Sequence, residues 1–156
     1  MRITTHGRYG IRAMLELAAR HGQGPVSVRT IAQSQGISLG YLERLMGSLR
    51  NAGLVRSVRG CNGGYMLARE PADIKIGQVY RVLEGSIAPV ACVDEEGSRN
   101  ACRREGACAA RRLWLDIRDS IARELDSRTL ADLSQREPPT NAGSRSSNPT
   151  EERSDA

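Results

Sequence analysis

The chain has 156 residues, 39% of them hydrophobic and 26% charged, with a formal net charge of +5, enough for one globular domain and an appendage. No apolar run approaches the roughly 18 residues of a membrane span, and the N-terminal MRITTHGRYG lacks the apolar centre of a secretory signal, so a soluble, cytoplasmic protein with no membrane association is expected. The charge is uneven: residues 1–60 hold nine arginines against Glu16 and Glu43, a net of +7, whereas the remainder holds 14 basic and 16 acidic groups, which puts the positive field where a phosphate backbone would need it.

Apolar spacing sets the elements. Residues 8–21, RYGIRAMLELAARH, carry Tyr9, Ala13, Met14, Leu17 and Ala18 on one stripe and predict a first helix, with Gly22 as its stop. In residues 27–51, Val28, Ile31 and Ala32 share one helical face, and Leu42, Leu45, Met46 and Leu49 share another. Between them Gly36 can take the positive φ that ends a helix, Ile37 can plug the angle, and Ser38 can cap the second helix through its hydroxyl. This spacing is that of a helix-turn-helix whose second helix enters the DNA major groove. A plain helical hairpin has the same spacing.

Leu54, Val55 and Val58, then Tyr65, Met66 and Leu67, flank the run Arg59-Gly60-Cys61-Asn62-Gly63-Gly64 and predict a short β-hairpin. Such a hairpin beside a recognition helix is a wing, and Arg59 at its tip suits the narrow minor groove. The glycine-rich tip lacks the lysine and following helix of a nucleotide site, and no nucleophile–base pairing is visible, so an enzyme is not expected. Residues 74–83 predict a helix closing the winged domain, with Gly85 as its stop. Residues 86–107 show no sustained period and are read as a loop. A long helix over 109–125 carries Leu113, Trp114, Ile117, Ile121 and Leu125 on one side, a stripe that calls for a partner, most simply a second copy of the chain. Ser127 is expected to cap a last turn over 129–133, and the polar tail beyond is expected to be disordered. The resulting division is 1–85 as a winged helix-turn-helix domain, 86–108 as a cysteine-bearing loop, 109–133 as a dimerisation helix with its last turn, and 134–156 as tail. The fold class is mainly α with a small β wing.

Three of the four cysteines, Cys92, Cys102 and Cys108, lie within 17 residues. In a reducing compartment such clustering favours a metal or redox role over a structural disulfide. Soft thiolates suit an iron-sulfur cluster; zinc and a reversible thiol-disulfide switch remain alternatives.

The run ISLGYLERLMGSLRNAGLVRSVRGCNGGYMLAR, preceded by MRITTHGRYGIRAMLELA and followed by IGQVYRVLEG, resembles the winged helix-turn-helix regulators of the IscR, NsrR and CymR family over about residues 1–133. The resemblance implies a homodimer with crossing C-terminal helices, each subunit offering a recognition helix and a wing to half of a near-palindromic site on double-stranded DNA, commonly as a repressor. Carried over by position, Ser38, Gly40 and Glu43 match residues that read base edges, Tyr41 and Arg50 lie near phosphates, and Arg59 enters the minor groove. The exposed N-terminal part of the second helix also includes Arg44. At Gly40 the iron-sulfur members often carry a hydrogen-bonding side chain, which alters the expected operator.

The same resemblance makes Cys92, Cys102 and Cys108 ligands of an iron-sulfur cluster sensing iron-sulfur, redox or nitric-oxide status. The nine-residue gap from Cys92 to Cys102 is longer than in IscR-like members, and Arg111 stands where they place a histidine ligand. The fourth ligand is therefore unidentified, with His6, Asp94 and Glu105 as candidates. Cys61, in the wing, is expected to be too remote to ligate. The family also contains members that bind DNA without a cluster, and its CymR branch suggests an enzyme of sulfur metabolism as an additional partner.

Overall fold

The structure is a computed structural model describing residues 3–95, 97, 102 and 107–135. The order is α1 (Thr5–Ala19), α2 (Val28–Gln35), α3 (Leu39–Asn51), β1 (Val55–Val58), β2 (Gly64–Leu67), α4 (Ile76–Glu84), α5 (Arg111–Ser127) and α6 (Leu130–Ser134), with single 3-10 turns at Pro71–Asp73 and Ala91–Val93. The mainly helical architecture with one antiparallel hairpin follows the sequence expectation.

α1 starts earlier than its apolar stripe suggests, because its N-terminus is capped from two directions. Thr4 Oγ1 accepts from the His6 amide at 3.1 Å, and Glu84, at the end of α4, accepts from the Gly7 amide at 2.7 Å and from the Thr4 amide at 3.2 Å. A carboxylate there satisfies orphan N–H groups and meets the positive end of the helix dipole. Further along the same face, a Cβ on Gly10 would overlap Leu83 Cδ1, so a larger residue there would have to displace the Leu83 side chain between α1 and α4.

Ser27 caps α2, its Oγ accepting from the Thr30 amide at 3.0 Å. Gly36 ends that helix at φ 64°, ψ 38°, and Ile37, 6% exposed, fills the angle between α2 and α3. One expectation is corrected here: the Ser38 hydroxyl makes no capping bond. Its backbone still enters α3 as a cap does, with the Ser38 carbonyl accepting from the Leu42 amide at 3.0 Å, but the side chain is exposed and water competes for it.

The hairpin pairs Val55 with Leu67 and Val58 with Gly64. Val26 and Tyr65 exchange two backbone hydrogen bonds of 2.8 Å, which tie the wing to the segment leading into α2.

α4 begins two residues later than expected, since Ile74 and Lys75 are engaged with the end of the chain: the Leu130 amide donates to the Ile74 carbonyl at 3.0 Å, and the Ile76 amide to the Arg128 carbonyl at 2.9 Å. The cap of the last turn is Thr129 rather than Ser127. Thr129 Oγ1 accepts from the Asp132 amide, while the Ser127 hydroxyl donates back to Glu124 inside α5. The reason is register: α5 runs on through Ser127, so the first extended residues fall at Arg128 and Thr129. Leu130 then enters the core fully buried, beside Met14, Ile31, Leu42, Leu45, Met46, Leu49, Ile74 and Val79. Each such side chain contributes roughly 1.5–3 kcal/mol, so α6, which follows the whole of α5 in the chain, closes the core begun by α1–α4.

α5 has no buried residue. Its stripe of Leu113, Trp114, Ile117 and Ile121 is partly or largely open, with Leu113 53% exposed. The segment read as a loop before it holds the 3-10 turn at Ala91–Val93, anchored by buried Ile87 and Val93. No described helix is long and apolar enough to cross a membrane. The tail expected to be disordered, apart from Ser134 and Gln135, lies outside the described residues.

Candidate nucleic-acid interface and cysteine loop

α3 is oriented by its buried face. Leu42, Leu45, Met46 and Leu49 point into the core, so Ser38, Leu39, Gly40, Glu43, Arg44 and Arg50 are left exposed. The turn before it is held by α1: Arg12 donates from Nε to Gln35 Oε1 and from Nη2 to the Gln35 carbonyl, both at 2.9 Å, and Gln35 Nε2 donates to Glu16 at 2.8 Å. Glu16 also pairs with Arg20 at 2.7 Å. Of the two arginines, Arg20 is neutralised by a carboxylate, whereas Arg12, bonded to neutral acceptors, joins exposed Arg8, Arg29, Arg44, Arg50, Arg56 and Arg59 in the field offered outward.

Tyr41 differs from its neighbours. It is half-buried, with its ring edge-on to His6 and Tyr9 at centroid distances of 5.9 and 6.1 Å, its hydroxyl 3.2 Å from His6 Nδ1 and the Arg44 guanidinium 5.8 Å from its ring centroid. Tyr41 is therefore a fixed strut between α1 and α3 with one side open. His6, considered as a cluster ligand, stands at this strut in its own subunit. Arg59 follows β1 directly and is exposed, as is Cys61 near the tip of the wing.

All four cysteines are free thiols. Cys92 is half-buried in the 3-10 turn, Cys108 half-buried just ahead of α5, and Cys102 exposed. The chain just after Cys92 is tethered to two helices. The Val93 carbonyl accepts from Arg118 Nη1 of α5 at 3.0 Å. Glu95 accepts from Arg81 Nη2 at 2.8 Å and from Nε at 3.1 Å, and Arg81 Nη1 also donates to Asp126 at 2.8 Å. Arg81 thereby joins α4, the cysteine segment and the end of α5. Its hydrogen bonds hold the Glu95 and Asp126 carboxyls below their ordinary range, and the two carboxylates raise the Arg81 pKa in turn, Asp126 most. This node escaped the sequence reading, because Glu95 and Asp126 stand 14 and 45 residues from Arg81 with no periodicity to link them. Glu84 escaped it likewise.

Three free thiols fit an iron-sulfur cluster by donor chemistry. Among the described residues, however, no three His, Cys, Asp or Glu side chains converge into a metal-holding group. Glu105 lies outside the described residues.

Comparison with known proteins gives these features a common setting. Residues 3–136 match the family described as "Rrf2: Iron-dependent Transcriptional regulator". The chain is 49% identical over 133 residues to the HTH-type transcriptional regulator CymR of Bacillus subtilis (strain 168), covering 85% of this chain and 89% of that protein. The solved structure of CymR, described as the global cysteine regulator of B. subtilis, is similar with a TM-score of 0.76 and 46% identity, covering 88% of this chain and 99% of that one. The IscR of T. potens is similar with a TM-score of 0.71 and 42% identity, covering 92% and 93%. An oxidized form of Staphylococcus aureus CymR is similar with a TM-score of 0.70 and 39% identity, covering 88% and 99%. These relatives are transcriptional regulators and not enzymes, and regulators of this kind bind DNA as dimers. With the helix-turn-helix, the wing and the open apolar stripe of α5 all in place, the chain belongs to the Rrf2 family of transcriptional regulators.

Proposed function

We propose that the chain acts in the cytoplasm as a homodimeric, sequence-specific repressor whose grip on its operator is set by the state of Cys92, Cys102 and Cys108, with an iron-sulfur cluster as the group they hold. The observation that carries the DNA-binding part is the shared exposure of Ser38, Gly40, Glu43 and Arg44 on α3, with Arg59 on the adjoining wing. Glu43 suits a cytosine amine, Arg44 and Arg50 suit phosphates, and Arg59 suits the negative potential of the minor groove. Tyr41, locked against His6 and Tyr9, keeps its open side near the backbone. The stripe on α5 supplies the dimer face, so a change at the helix ends alters the spacing or angle of two recognition helices.

A cluster, when bound, supplies a centre that responds to oxidants and nitric oxide. The chain's own residues supply the route from loop to reading head. Arg118 holds the Cys92 turn to α5, and Arg81 holds the same segment to α4, whose last residue, Glu84, caps α1. A shift of the cysteine segment therefore works on both the dimer helix and α1, whose His6 and Tyr9 brace Tyr41 of α3. By reciprocity, DNA binding shifts the cysteine chemistry by the same coupling free energy.

A second reading, a cluster-free thiol switch, is favoured by two observations: no described group of side chains is ready for a metal, and one close relative is described as a cysteine regulator, another as an oxidized form. One experiment separates the two. Anaerobically purified protein with iron and sulfide bound, and visible absorbance lost on replacing any of the three cysteines by alanine, supports the cluster. Colourless protein whose binding to its own promoter fragment responds reversibly to thiol oxidation supports the switch.

A further inference from the structure

We infer that Leu39 is a base-reading residue that recognises a thymine through its C5-methyl group, beside the base addressed by Glu43; this rests on the operator-binding function proposed above. Among the described residues three large apolar side chains are well exposed: Ile3, Leu39 and Leu113. Leu113 belongs to the stripe of α5 and Ile3 to the N-terminal segment. Leu39, 38% exposed, belongs to neither and lies between exposed Ser38 and Gly40.

Its position gives the exposure a use. Leu39 is the first residue of α3, flanked by exposed Ser38 and Gly40, and one helical turn before Glu43. Side chains four apart on a helix lie over each other, so Leu39 and Glu43 address neighbouring steps of one groove. Leu39 also forms the rim of a shallow concavity lined by Ala32, Gly36 and Ile37 and by the polar Gln33 and Ser38, with Arg29 at its edge. A methyl group entering there meets aliphatic surface, while Arg29 faces the flanking backbone.

Chemistry selects the partner. In the major groove the base edges of a standard duplex offer hydrogen-bonding groups and one apolar feature, the thymine methyl, and an aliphatic side chain can discriminate only by that feature. Gly40 strengthens the assignment. Lacking a side chain, it cannot hydrogen-bond to a base and does not hold α3 away from the groove, and a Cβ built on it meets nothing within 4 Å. Reading at this end of the helix then falls to Ser38, Leu39 and Glu43, of which Leu39 alone is apolar.

Removing one methyl from a snug contact should cost roughly fourfold in affinity, and about fifteenfold when both half-sites are changed. The test begins with selection of an operator from random duplexes using the full chain. Each thymine is then replaced by deoxyuridine, which deletes the methyl and preserves pairing. We expect one symmetric pair of thymines at which uracil weakens the wild-type protein by these factors, leaves Leu39→Ala unaffected, and still weakens Leu39→Met, with circular dichroism showing both variants folded. Uracil tolerated at every position, or an equal penalty for wild type and Leu39→Ala, would overturn the assignment while leaving operator binding intact. Selection that returns no preferred sequence would overturn operator binding itself, and this inference with it.

Discussion

Replacing Arg81 by methionine keeps an unbranched apolar stem and removes the charged guanidinium, leaving Glu95 and Asp126 without the group that separates them. Each carboxylate receives two or three charge-assisted hydrogen bonds of 2.8–3.1 Å. Such bonds are worth roughly 1.5–3 kcal/mol net when well shielded, and about 0–1 kcal/mol as open surface pairs. With side-chain exposures of 32% for Arg81, 25% for Glu95 and 36% for Asp126, the node falls between these limits. About 1 kcal/mol per carboxylate, and thus about 2 kcal/mol in all, is expected. For a domain of this size that lowers the melting temperature by roughly 6–10 °C.

The pH dependence has a definite sign. Both carboxyls are held below their ordinary values of 4.5 and 3.8, so their contribution is complete above those values and disappears as the pH falls through the lowered ones. Thermal melts of wild type and Arg81→Met should therefore differ most near neutrality and converge in acid, provided the wild type remains folded there. Equal melting temperatures at pH 7, or a gap unchanged as the carboxyls protonate, would refute the reasoning.

Three further outcomes follow from the same structure. Glu84→Ala removes the acceptor for the Gly7 amide and both Thr4 donors and should cost about 1–2 kcal/mol, with amide exchange in the first turn of α1 rising ahead of the rest of the helix. Arg59→Ala should weaken operator binding without lowering the melting temperature and reduce the slope of log affinity against log salt by about one ion per half-site; unchanged affinity and slope would remove the wing from the interface. Leu113→Glu puts a charge at the N-terminal end of the exposed α5 stripe and should give a folded monomer by sedimentation, since Leu113 is no part of the core of its own subunit.

Much of this architecture was readable from short-range pattern. The three-and-four spacing of Leu42, Leu45, Met46 and Leu49 gave α3 and its buried side, and Gly36 with Ile37 gave the turn, because each depends on neighbours within one or two helical turns. The wing was equally plain from two apolar runs around a glycine-rich tip. What escaped was long-range. Nothing near Thr4 announces that its cap comes from Glu84, and nothing in residues 129–133 announces that Leu130 completes a core begun at Met14. The Ser38 cap failed for a different reason: a residue type favoured at a helix start was taken for a bond it does not make. Of the interface, the exposed identities on α3 were legible, whereas the engagement of Arg12 and Arg20 within the protein was hidden in a summed charge. Cys92, Cys102 and Cys108 were legible as a group by spacing alone, and spacing does not bring side chains together.

The coupling of those cysteines to DNA is the centre of the account, and it is tested most directly by titrating a promoter fragment with anaerobically prepared protein before and after its cysteine-bound state is removed, in parallel with a variant in which Cys92, Cys102 and Cys108 are all alanine. The account predicts that the wild-type dimer changes operator affinity by at least fivefold to tenfold between states, a coupling of about 1–1.4 kcal/mol, and that the triple variant binds with one fixed affinity. Wild-type protein that binds with the same affinity in every state of its cysteines would contradict it.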